Sequence, residues 1–121
     1  MLGLKTALTS ALLFTSMMVA QAAEPATEDK TAIVKSVSAM LKDPYSAKFK
    51  WSEIVLLPSG LPPMSKEHYM YCGSVNAKNS YGAYTGYARF LVMVDHQKNS
   101  AAVLYMDDET EQVCHKVGLL R

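Results

Sequence analysis

The sequence predicts an α+β fold: an N-terminal helix, an antiparallel meander of about four strands and a C-terminal helix, with one disulfide. Three observations lead there. Apolar residues recur at helical spacing over 28–42. From 48 to 106, β-forming residues come in short runs separated by Gly, Pro, Asn and Ser. The two cysteines of the chain, Cys72 and Cys114, fall on the second strand and the last helix so defined. A helix at each end of a run of hairpin-connected strands is the α+β pattern.

The first helix is read over 28–42. Thr27 is its expected N-cap, and Glu28 and Asp29 occupy the first turn, where the helix dipole favours acids. Ile33, Val34, Val37, Met40 and Leu41 form the apolar stripe, and Lys30, Lys35, Ser36 and Lys42 fall mostly opposite it. Asp43-Pro44 is the expected stop, because a residue before proline avoids the helical region. From Lys48 to Leu57 the period changes to two, with Phe49, Trp51, Val55 and Leu57 on one face and Lys48, Lys50 and Ser52 on the other. Pro58–Pro63 must be a loop, since three prolines and a glycine cannot continue a ladder.

His68–Ala77 is the second strand, with Tyr69, Tyr71 and Val75 on one face and Met70 and Cys72 on the other. Lys78–Thr85 is turn-rich, and Gly86–Asp95 is a third strand carrying Tyr87, Phe90, Leu91, Val92 and Val94. Gln97–Ser100 reads as a hairpin turn into a short fourth strand, Ala101–Met106. Asp107, Asp108 and Glu109 then cap a last helix with Val113, Val117 and Leu120 on one side. That helix would hold Cys114 over the strand bearing Cys72, both helices covering one face of the sheet.

Half of the 121 residues are hydrophobic, a share raised by the first 23. Lys5 precedes an uncharged run from Thr6 to Ala20, and Ala20-Gln21-Ala22 follows with small residues at the two positions a signal peptidase reads. The run is short of the roughly 20 apolar residues a membrane span needs and contains Thr9, Ser10, Thr15 and Ser16. Residues 1–22 are therefore expected to be a cleaved signal peptide, 23–27 a flexible leader and 28–121 one α+β domain, with no span left after cleavage.

Loss of Lys5 leaves eleven basic and eleven acidic residues. That balance excludes a nucleic-acid binder of the basic-stripe type. Export, to the periplasm more than to the medium, places the cysteines in an oxidising compartment, where a Cys72–Cys114 disulfide is their simplest use. It would close a loop worth roughly 4 kcal/mol by chain entropy, before any strain. The alternatives are a free reactive thiol or a metal pair; two cysteines 42 apart without a Cys-x-x-Cys make a poor metal site.

The segment most open to a functional reading is 71–87, with two asparagines, three glycines and four tyrosines. Loop tyrosines offer flat surfaces with a polar tip at low ordering cost. A binding surface is expected from Asn76, Lys78, Asn79, Tyr81, Tyr84, Tyr87 and Arg89. The structural alternative carries more weight: Asn and Gly supply the left-handed backbone of a hairpin connection, and tyrosine is a good strand residue.

His68, His96 and His115 show no zinc spacing, and no Gly-x-Ser-x-Gly elbow is present. Asp107, Asp108, Glu109 and Glu111 lack the alternating positions and glycine bend of a calcium loop. No catalytic residue, metal or cofactor is assigned.

Lys42-Asp43-Pro44, Ser46-Ala47-Lys48-Phe49, Cys72-Gly73, Val75–Gly82 and Tyr84-Thr85-Gly86-Tyr87 together resemble a set of small exported proteobacterial proteins of unknown function. The resemblance runs from about Lys42 to Phe90. It departs at Ser74, where an acid after Cys-Gly would be usual. It implies export and one small domain, and no activity or cofactor.

The expected function is that of an exported binding module acting on an envelope or secreted protein by contact, as an accessory, inhibitor or immunity protein. Three rivals stand beside it. A structural component of an envelope or secretion assembly would self-associate. A cell-wall enzyme would draw on Glu53, Glu67 and Asp95, and a small-ligand carrier would need an apolar cavity.

Overall fold

The computed structural model describes Gly3, residues 23–56, Ser65 and residues 67–120. Apart from Gly3, the expected signal peptide lies outside the described residues, as do Leu57 and the Pro58–Pro63 loop. The chain runs α1 (Thr27–Ser38), a single 3-10 turn (Pro44–Ser46), β1 (Lys48–Lys50), β2 (His68–Asn76), β3 (Ala88–Asp95), β4 (Ser100–Tyr105) and α2 (Thr110–Lys116). The four strands form one antiparallel sheet in the order β1-β2-β3-β4, a meander with a helix at each end of the chain. Among the described residues, no helix is long and apolar enough to cross a membrane.

The sheet separates two cores by parity. Tyr69, Tyr71 and Val75 of β2 and Phe90, Val92 and Val94 of β3 face α1 and bury Ile33 and Val37, all at 3% exposure or less. Cys72 and Leu91, one residue out of step, face the other way and pack with Cys114 and Leu119. The helices therefore lie on opposite faces, which corrects the expectation that both cover one. Each strand residue projects opposite to its neighbour, so a helix tethered at Cys72 cannot share the face of Tyr71. The Cys72–Cys114 disulfide is present and links β2 to α2.

Gly73 occupies the α1 face of β2, opposite Phe90. A Cβ there would collide with the Phe90 ring and come within 3.0 Å of the Tyr71 ring. The glycine thus lets an aromatic ring cross the strand, a close approach of the kind that explains glycine inside strands.

β3 begins at Ala88, so Gly86 and Tyr87 belong to the connection before it and not to the strand. β2 ends one residue early and β4 lies one residue earlier than expected; the larger departures are in α1 and β1. α1 begins one residue early, capped by the Ala26 carbonyl accepting from Lys30 N–H, with no side-chain cap from Thr27. It ends at Ser38, not at Lys42. Met40 N–H and Leu41 N–H turn back to Val37 and Ser38 in tighter three-residue bonds, which leaves Met40 exposed. β1 keeps its alternation only as far as Trp51. Ser52 then donates N–H to the Tyr71 hydroxyl (2.6 Å), its own hydroxyl bonds the Cys72 carbonyl, and Val55 packs in the α2-side core, away from Phe49 and Trp51. The β3–β4 turn fits its sequence: Asn99 adopts the left-handed conformation at φ 48°.

Candidate functional site

Two clusters of polar side chains stand out at opposite ends of the α1-facing strands.

The first is the connection between β2 and β3. Lys78 and Tyr84 form an isolated antiparallel bridge that narrows the loop to Asn79–Ala83. The Asn79 side-chain oxygen accepts N–H bonds from Tyr81 (2.9 Å) and Ala83 (3.2 Å). Its backbone exchanges further bonds with Ala83 and Gly82. Gly82 takes φ 79° and Gly86 φ 97°, conformations that glycine adopts without a Cβ penalty. The Asn76 side-chain oxygen accepts Gly86 N–H. Both asparagine oxygens thus build the turn, and the tyrosines are what the turn presents. Tyr81 at the tip is 94% exposed, and Tyr84 and Tyr87 are about two-fifths exposed.

The hairpin is braced by the 3-10 turn more than thirty residues upstream. Ser46 accepts Lys78 N–H on its hydroxyl (2.8 Å), and its carbonyl accepts the Tyr84 hydroxyl (2.9 Å). Beside it, Tyr45 is fully exposed. The Lys48 ammonium lies 4.6 Å from the centroid of the Tyr84 ring and that of Lys78 5.6 Å from it; Lys50 lies 4.0 Å over Tyr87. Each contact is worth about 0.5–1 kcal/mol at an exposed site. Arg89 is half-buried, 3.7 Å from the exposed Glu111 of α2.

All seven expected site residues lie on or beside this hairpin. Lys48, Lys50 and Ser46 join them and were not foreseen. Alternation put the two lysines on an outer strand face, but only the register of β1 on β2 brings that face to the tyrosines. An open groove of about 230 Å³ runs next to the loop, lined by Met40, Leu41, Val75, Ala88, Met106 and Lys78 among others. It is smaller than the roughly 300–1,000 Å³ of small-molecule pockets.

The second cluster joins α1 to the far end of the sheet. Asp29 is 2% exposed and accepts the Tyr69 hydroxyl at 2.7 Å; its other oxygen meets His96 Nδ1 at 2.8 Å. Burial, reinforced by this carboxylate, holds the Tyr69 hydroxyl protonated well above the ordinary tyrosine range. The same carboxylate raises the pKa of the half-exposed His96 imidazole, chiefly by hydrogen bonding. Next to it His68 Nε2 lies 3.3 Å from Asp95, its register partner.

Of the acids weighed for catalysis, Asp95 and Glu67 both come to this end. The Glu67 carbonyl accepts His96 N–H, while Glu53 is exposed in the segment after β1. Sequence reasoning missed the Asp29–Tyr69–His96 network, because 40 and 67 residues separate its members. Among the described residues, no group of three His, Cys, Asp or Glu side chains is placed to hold a metal ion.

No family model matches the chain, and neither a curated protein nor a solved structure matches it.

Proposed function

We propose that the protein is an exported binding module, periplasmic or secreted, that acts by contact with an envelope or secreted protein, in an accessory, inhibitory or immunity role, and that the β2–β3 hairpin is its contact surface. One observation carries the reading. Tyr81 stands 94% exposed on a turn held by the Asn79 side chain and backbone. A large aromatic displayed on a rigid pedestal loses little freedom on binding, which is how interface anchors gain their energy. The disulfide accords with an oxidising compartment.

The test is capture from envelope extracts with the full chain, expressed for export and purified, beside its Tyr81→Ala variant. The variant should keep the melting temperature, since the side chain it loses is solvated. It should hold the captured partner at least about tenfold more weakly, as for an anchor residue. Equal capture by both proteins, or no partner at all, would return the hairpin to a purely structural role.

A further inference from the structure

The face below the hairpin gathers basic side chains, with the exposed Glu111 of α2 beside them. Lys48 and Lys50 share the outward side of β1, Lys50 is in register with Ser74, and Ser74 with Arg89. Lys78 joins them at the base of the hairpin. Four cations thus occupy a strip three strands wide in a chain of formal net charge +1. Among the described residues, the one ion pair these four make is the 3.7 Å contact of Arg89 with Glu111. The three lysine ammonium groups lie over Tyr84 and Tyr87 instead. A lysine resting on a ring keeps its charge and has already lost part of its side-chain freedom, so it meets an anion at lower entropic cost.

Lysines on an edge strand also guard against strand-to-strand aggregation. That role does not account for Lys78 and Arg89, which lie off the edge strand yet extend the same strip. From the charge complementarity of this strip we propose that its occupant is an acidic, extended segment of a partner protein, with carboxylates at alternate positions. Alternate residues on a strand are about 6.6 Å apart. Side chains at i and i+2 of an extended segment therefore match Lys48 and Lys50, and Arg89 lies two strand spacings, about 9.6 Å, across from Lys50. Nucleic acid shares the phosphate charge but asks for a chain with a large basic excess, which this one lacks. The assignment rests on the hairpin being the contact surface.

The probe is a fluorescein-labelled ten-residue peptide alternating Glu and Thr, titrated onto the full chain at low ionic strength. Binding should weaken roughly tenfold in the Lys48→Gln/Lys50→Gln variant. It should also weaken as salt shortens the screening length from about 30 Å to about 8 Å. The charge-reversed Lys48→Glu/Lys50→Glu/Lys78→Glu variant, with its fold checked by near-ultraviolet circular dichroism, should instead take the peptide alternating Lys and Thr. No binding of the acidic peptide by the native chain, equal binding by the Gln variant, or tighter binding of a ten-nucleotide oligothymidylate would overturn the assignment. If Tyr81→Ala loses its captured partner while the peptide fails to bind, the contact surface stands and only this partner chemistry falls.

Discussion

The two faces of the sheet are covered in different ways. On the α1 face, a twelve-residue helix closes over six large strand side chains, and Phe90, Tyr71, Trp51 and Phe49 form a chain of ring contacts with centroids 5.4–6.4 Å apart. On the other face, α2 has seven residues, and with the turn that follows it covers Cys72 and Leu91 with Cys114 and Leu119. A helix of two turns is too short to hold itself and buries little apolar area. The covalent link through Cys72 supplies what packing does not. What α2 leaves uncovered on that face carries Lys48, Lys50 and Arg89. Economy of cover on one side is thus what leaves room for a charged surface.

The sharpest way to break this contrast is to remove the covalent link. Replacing Cys72 and Cys114 together by Ala should cost about 4 kcal/mol in urea unfolding, the chain-entropy value for the loop they close. Hydrogen exchange should show protection lost first over 110–119, with the amides of Val92 and Val94 keeping theirs. A uniform loss of protection would mean that the two faces stand or fall together.

The α1 face should instead be sensitive to shape. Gly73→Ala pushes a methyl into the Phe90 ring and should cost about 1–3 kcal/mol, the range for overpacking. A variant of unchanged stability would show that the rings can move, and that this core is less closely fitted than its contacts suggest.

The smallest effect concerns the tie between α1 and the β3–β4 turn. Asp29 raises the His96 pKa above its ordinary 6.5, so protonated His96 is favoured in the folded state. The stabilisation is fully present below about pH 6.5 and is lost as pH rises through the raised folded value. Urea midpoints should therefore fall between pH 6 and pH 8, and His96→Gln should flatten that slope. An unchanged slope in the variant would place the pH dependence elsewhere.

Local chemistry was readable from the residues. The two-residue periods of 68–76 and 88–95 put Tyr69 and Tyr71 opposite Met70 and Cys72, and the structure keeps that division. The left-handed Asn99 and the Asn79 turn are where turn-forming residues put them. The end of β1 was not readable, because the alternation in the sequence continues past Ser52 while the backbone there turns to satisfy Tyr71 and Cys72. Asp29 was readable as a first-turn acid favoured by the helix dipole, but not as a buried one. Only the approach of Tyr69 and His96 makes its burial tolerable, since a desolvated carboxylate needs partners.

The α+β class, the order of the elements, the cysteine pairing and the hairpin that displays the tyrosines can all be read along the chain. These follow from periodicity, turn chemistry and the presence of just two cysteines. The tertiary structure decided which helix covers which face, the partners of Asp29 and the meeting of Lys48 and Lys50 with Tyr84 and Tyr87. Those depend on strand register and on helices docking against a surface built from distant residues, and neither is encoded by neighbours along the chain.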